Sequence, residues 1–145
     1  MADTRIQLEI ADWIRTVFLP RIYLGERFSK AKVALDPGGV HEFNAVNYGR
    51  DIIVNITTSD AKTASGKLAV GKVTKVRADM FFLTMTNATT KVMAFTEKDM
   101  YDLVCKEREL GRVPHSIELM LVKLPHELQE KLAMSKREAS DEVSP

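Results

Sequence analysis

A chain of 145 residues is long enough for one domain burying about 68–70% of its unfolded surface, and nothing in it implies a second. Apolar and charged fractions of 45% and 28% exclude a disordered chain, the single Cys105 excludes an internal disulfide and a cysteine-based zinc motif, and a net charge of +1 excludes a global pull on polyanions. Acids at Asp3, Glu9 and Asp12 interrupt the N-terminal segment and nowhere do 18 apolar residues run together, so neither a secretory leader nor a membrane partner is expected, and the cysteine usage suits a reducing, cytoplasmic setting.

Thr4 is placed to cap a helix in which Ile6, Ile10, Trp13, Ile14, Val17 and Phe18 recur at three- and four-residue steps, until Pro20 interrupts or kinks it. An extended segment at 32–35 ends at the turn Asp36-Pro37-Gly38-Gly39, a strand follows at 40–46, and the turn Asn47-Tyr48-Gly49-Arg50 returns the chain as a β-branched strand at 52–58. Residues 59–72 begin as a loop, and Val70, Val73, Arg77 and Met80 then set a helical spacing. The bulky apolar run at 81–86 predicts a strand, and 91–95 predicts another after a turn. Thr96 and Asp99 suggest a cap for a helix with Met100, Leu103, Val104 and Leu110, which Gly111 ends. A strand at 117–124 precedes a last helix opened by Pro125, with Leu128 and Leu132 on one side. The domain is thus expected over 1–134, with a polar, frayed C-terminal tail at 135–145.

The central hairpin reads His41-Glu42-Phe43-Asn44-Ala45-Val46-Asn47-Tyr48-Gly49-Arg50-Asp51-Ile52-Ile53-Val54-Asn55-Ile56-Thr57-Thr58-Ser59. It resembles the PD-(D/E)xK, or restriction-endonuclease-like, pattern, in which a Phe-Asp-Ala-Val strand turns through a glycine and returns as an apolar strand ending in Glu-x-Lys-Thr. The resemblance implies an α/β fold with an αβββαβ core, a mixed central sheet flanked by helices, and here an additional strand-helix-strand-helix extension. In that family the acids hold Mg²⁺, which activates water, and the lysine positions the nucleophile. Carried over residue by residue, those positions are Asn44, Asn55 and Thr57, all uncharged, and alternation along a strand puts Glu42 with Asn44 and Asn55 with Thr57.

What the resemblance implies is a catalytically degenerate nuclease-fold protein that acts as a binding or assembly module, with nucleic acid as the partner. Two alternatives stand beside it. One is an active metal-dependent endonuclease with relocated carboxylates at Glu42, Asp51 or Asp79, the only case in which Mg²⁺ is expected. The other is a homo-oligomeric protein-interaction domain. A polar patch of hydrogen-bonded sheet residues is the plain structural reading of the same positions.

Between residues 61 and 77 five basic residues, Lys62, Lys67, Lys72, Lys75 and Arg77, occur with no acid, a candidate phosphate-contacting segment beside the hairpin, or simply a solvated helix face. The stretch Gly66-Lys67-Leu68-Ala69-Val70-Gly71-Lys72 carries the glycine and lysine spacing of a P-loop, but Val73 stands where the hydroxyl for Mg²⁺ belongs and no strand leads directly into it. His41, His115 and His126 have no ligand-like spacing, so no metal site is expected from them.

Overall fold

The computed structural model describes residues 4–143. Helix α1 (Arg5–Trp13) passes through a π-helical turn (Ile14–Phe18) into the short α2 (Leu19–Ile22). Strands β1 (Phe28–Ala34), β2 (Val40–Asn47) and β3 (Ile52–Thr57) follow, then α3 (Val70–Thr84), β4 (Thr90–Phe95), α4 (Lys98–Glu109), β5 (Ile117–Leu121) and α5 (His126–Val143). The five strands lie side by side in sequence order, with β1, β2 and β3 antiparallel and β3, β4 and β5 parallel. Short turns suffice for the antiparallel meander, whereas each parallel pairing needs a crossover, which α3 and α4 supply. The result is an α/β fold with a mixed, open, five-stranded sheet flanked by helices.

Two apolar layers enclose the sheet. Val73, Val76, Met80 and Leu83 of α3 and Met100 and Val104 of α4 pack with Phe43, Val46, Ile53, Met93, Phe95 and Ile117 on one face. Ile6 and Ile10 of α1, with Ile14, Leu19, Leu128 and Leu132, cover Ala45, Val54, Val92 and Ala94 on the other. Pro20 does not break the first helix. It has no N–H to give the preceding turn, and the chain widens just before it, so that the Leu19 N–H reaches back to the Ile14 carbonyl and both side chains stay fully buried.

Three expectations need correction. Residues 81–86 form no strand, because α3 runs on to Thr84: Val73, Val76, Met80 and Leu83 keep a three-and-four-residue rhythm toward the core while Phe81, 62% exposed, points away from it. The chain after β4 is therefore helix–strand–helix rather than strand–helix–strand–helix. Nor does the polar C-terminal segment leave the fold at Ser135, since α5 continues to Val143 with Ser135, Lys136 and Ala139 half-buried; residues 144–145 lie outside the described residues. No helix among the described residues is long and apolar enough to cross a membrane.

Candidate functional site

The hairpin residues singled out in the sequence are not on one face. Between the pairs Ser29↔Val46 and Ala31↔Phe43, β2 takes one residue more than β1, which is a bulge at Asn44–Ala45. The core layers show its effect: Phe43 and Val46 share the α3 side although three residues apart, and Ala45 lies on the α1 side. Within the bulge Asn44 spends its side-chain oxygen as a substitute ladder acceptor, taking the Ile56 N–H at 2.7 Å, while its backbone carbonyl accepts from Arg15 Nη1 at 2.9 Å. Asn55, only 3% exposed, lies under α3 and donates to the Asp79 carbonyl at 3.1 Å. Thr57 is buried, with its hydroxyl accepting from the Ser59 N–H at 3.2 Å. These are satisfied structural bonds: the Asn44 side chain serves the β3 backbone in the plane of the sheet, while Asn55 reaches α3.

The three carboxylates considered as substitutes are equally dispersed. Glu42 pairs with Lys30 on the exposed edge at 3.3 Å. Asp51 takes a donor from Asn47 and helps fasten the hairpin turn. Asp79 lies buried on α3 against Lys75, 3.1 Å away. Among the described residues no three His, Cys, Asp or Glu side chains come together as a metal-holding group.

Burial raises the Asp79 carboxyl above its ordinary value of 3.8, against the opposing pull of Lys75 and, more weakly, of His41, whose ring stacks on Phe82. An acid whose pKa is raised by folding binds its proton more tightly when folded. The stability this contributes is complete below pH 3.8 and is lost as pH rises through the raised value. Asp79→Asn is accordingly expected to melt at a higher temperature than the wild type at pH 7, with the gap closing as the pH falls toward 4. A lower melting temperature at pH 7 would mean that the Lys75 pair outweighs burial.

A cleft of about 610 Å³ opens instead at the carboxyl end of β3, beginning one residue beyond Thr57. In open α/β sheets this is where ligand crevices form. One wall is the loop after β3, with Thr58, Ser59, Asp60, Lys62 and Thr63. The other is α5, with Leu132, Ser135, Lys136 and Arg137, and Gln7 of α1 and Lys72 of α3 complete the rim.

The loop wall is well braced. Ala69 N–H donates to the Ala61 carbonyl and Thr63 N–H to the Lys67 carbonyl, both at 2.7 Å, and Lys62 bridges to Leu68. Gly66, with φ +85°, makes the turn, donating to the Thr63 carbonyl. The P-loop-like stretch is thus a small hairpin turn running into the first turn of α3. Asp99 ties this loop to α4, its two oxygens accepting the Ala61 and Met100 N–H groups at 3.0 and 2.7 Å. That corrects the expected Thr96 cap: Glu97 occupies the cap position, and the Thr96 hydroxyl donates to the Thr57 carbonyl.

The basic segment divides accordingly. Lys62 and Lys72 reach the cleft, exposed and with no ion pair among the described residues. Lys67 caps the small hairpin without lining the cleft, and Lys75 and Arg77 are engaged on the flank of α3 by Asp79 and Glu107, at 3.1 and 3.4 Å. Sequence reasoning missed Asp60, Lys136 and Arg137. Lys136 bridges Asp60 at 2.9 Å and Glu97 at 2.7 Å, joining α5 to the ends of β3 and β4. No sequence signal links residues 60 and 136, and the polar run after Ser135 read as tail. Compared with protein-family models, curated proteins and solved structures, the chain matches none.

Proposed function

We propose that this chain is a non-catalytic binding module of restriction-endonuclease-like topology that holds the phosphate backbone of a nucleic-acid strand in the cleft at the end of β3. The observation that carries this reading is the pair Lys62 and Lys72, free of ion pairs among the described residues, on the rim of a cavity where Lys136 and Arg137 add positive charge, Thr58, Ser59 and Thr63 add hydroxyls, and the acids Asp60 and Asp99 are engaged by Lys136 and by backbone N–H groups. The element order α1–β1–β2–β3–α3–β4 supports the topology, following the αβββαβ sequence that the hairpin suggested. The binding role does not depend on the hairpin polar residues, whose side chains are occupied with the backbone of Ile56, Asp79 and Ser59. At about 610 Å³ the cleft has the size of a small-molecule pocket, fitting a nucleotide unit of a single strand rather than a duplex.

Fluorescence anisotropy of labelled single-stranded oligonucleotides across a salt series tests this. Each phosphate contact on a single strand contributes about 0.7 to the slope of log K against log salt, so Lys62→Ala/Lys72→Ala is expected to weaken binding and to flatten the slope by about 1.4. Lys75→Ala/Arg77→Ala should leave both unchanged. The reading fails if the wild type binds no oligonucleotide at about 50 mM salt, or if the α3-flank pair matters more than the cleft pair.

A further inference from the structure

We infer that the cleft selects a ribonucleotide strand over a deoxyribonucleotide strand, with Asp60 accepting the ribose 2′-hydroxyl; this rests on the nucleic-acid reading above. A phosphate needs donors, so the acids in the cleft require a separate explanation. Asp99 has one, since both its oxygens are committed to backbone N–H groups. Asp60 does not. One oxygen, Oδ2, holds the Lys136 ammonium at 2.9 Å, the side chain is 44% exposed at the cleft wall, and Oδ1 has no partner among the described residues.

An ionised carboxylate only accepts, so what Oδ1 can take from a ligand is an O–H or N–H donor. In a strand drawn in by Lys62 and Lys72, the donor nearest the phosphates is the ribose 2′-hydroxyl, the group by which a protein tells RNA from DNA. Lys136 makes this compatible with phosphate binding: shared between Asp60 and Glu97, it offsets the acid's repulsion and leaves Oδ1 open. Among the described residues no aromatic ring lines the cleft, so discrimination there falls to sugar and phosphate rather than to base stacking.

A hydrogen bond to a charged acceptor is worth about tenfold in affinity. The wild type is therefore expected to bind a short single-stranded RNA about tenfold more tightly than DNA of the same sequence. Because Asp60→Ala also releases Lys136 toward the phosphates, the RNA-to-DNA ratio is the readout, and it should fall to near one whatever happens to total affinity. Lys136→Met leaves Asp60 in place and uncompensated, so both strands should weaken while the ratio persists. Competition by adenosine monophosphate and its 2′-deoxy analogue locates the discrimination, with the ribo form displacing labelled RNA at lower concentration. Equal binding of RNA and DNA by the wild type, an unchanged ratio in Asp60→Ala, or equal displacement by the two nucleotides overturns the inference. Loss of binding to both strands would instead overturn the nucleic-acid reading beneath it.

Discussion

Asn47→Ala is expected to lower the stability of the fold by about 3 kcal/mol, seen as a drop of roughly 10 °C in melting temperature and a matching fall in the urea midpoint. Asn47 is 2% exposed and uses its whole amide. Its Oδ1 accepts from the Asp51 and Ile52 N–H groups at 3.0 and 2.9 Å, and its Nδ2 donates to Asp51 and, at 3.1 Å, to Glu26. Truncation strands two N–H groups at the start of the buried β3 and removes the donor that two carboxylates share. Those carboxylates come from the turn itself and from the segment before β1, so one side chain fixes the hairpin to the end of the first helical unit. Asn47→Asp separates the contributions. It keeps the acceptors but replaces the donor by a third carboxylate, and is expected to be at least as destabilising at pH 7 and to recover as the pH falls and the introduced carboxyl, crowded by two like charges, takes up its proton. A loss below about 0.5 kcal/mol for Asn47→Ala would show that water replaces the amide at this turn.

The same turn shows what was readable in the sequence. The β-branched run after Asp51 and the Asn-x-Gly-x signal place β2, the turn and β3 within a residue, because alternation and turn chemistry are local. The detail that escapes is which residue carries the strain: Arg50, with φ 60°, rather than Gly49. At residues 81–86 a dense apolar run looks alike as a buried strand and as the end of a helix. Only the continuing spacing from Val73 to Leu83 separates them, and the exposed Phe81 obscures it.

The site was less legible than the fold for a geometric reason. Pairing by alternation assumes an unbroken strand, and one inserted residue at Asn44–Ala45 changes which neighbours Asn44 meets. The cleft depends on contacts between the loop after β3 and α5, separated by more than half the chain. The basic segment was visible as composition, but which of its five cations stay uncommitted depends on Asp79 and Glu107, which α3 and α4 bring to Lys75 and Arg77. The polar residues of the hairpin thus build the scaffold, and the cleft opens at the residues just beyond it.

Placing acids in the hairpin should therefore damage the fold rather than create a metal site. Asn55→Asp is expected to cost 3 kcal/mol or more at pH 7, on the order of the penalty for an uncompensated buried charge. It removes the donor to the Asp79 carbonyl and places a carboxylate in a 3% exposed position near a second acid whose pKa burial already raises. The new acid's folded pKa should be raised too, so the deficit is expected to shrink as pH falls below 5. Asn44→Asp, by contrast, retains an oxygen for the Ile56 N–H and lies beside the Arg15 guanidinium, and should cost less than about 1 kcal/mol. Because Asn44 bonds the N–H of Ile56, the residue beside Asn55, two carboxylates at these positions should repel and destabilise by more than the sum of the single changes, measured by urea unfolding of both single variants and the double. Millimolar Mg²⁺ decides between the two geometries. Two carboxylates converging on one cation would make the double variant alone regain stability on adding the metal, whereas acids divided between the sheet plane and the underside of α3 leave all three variants unmoved, and the second result is the one this bulged hairpin requires.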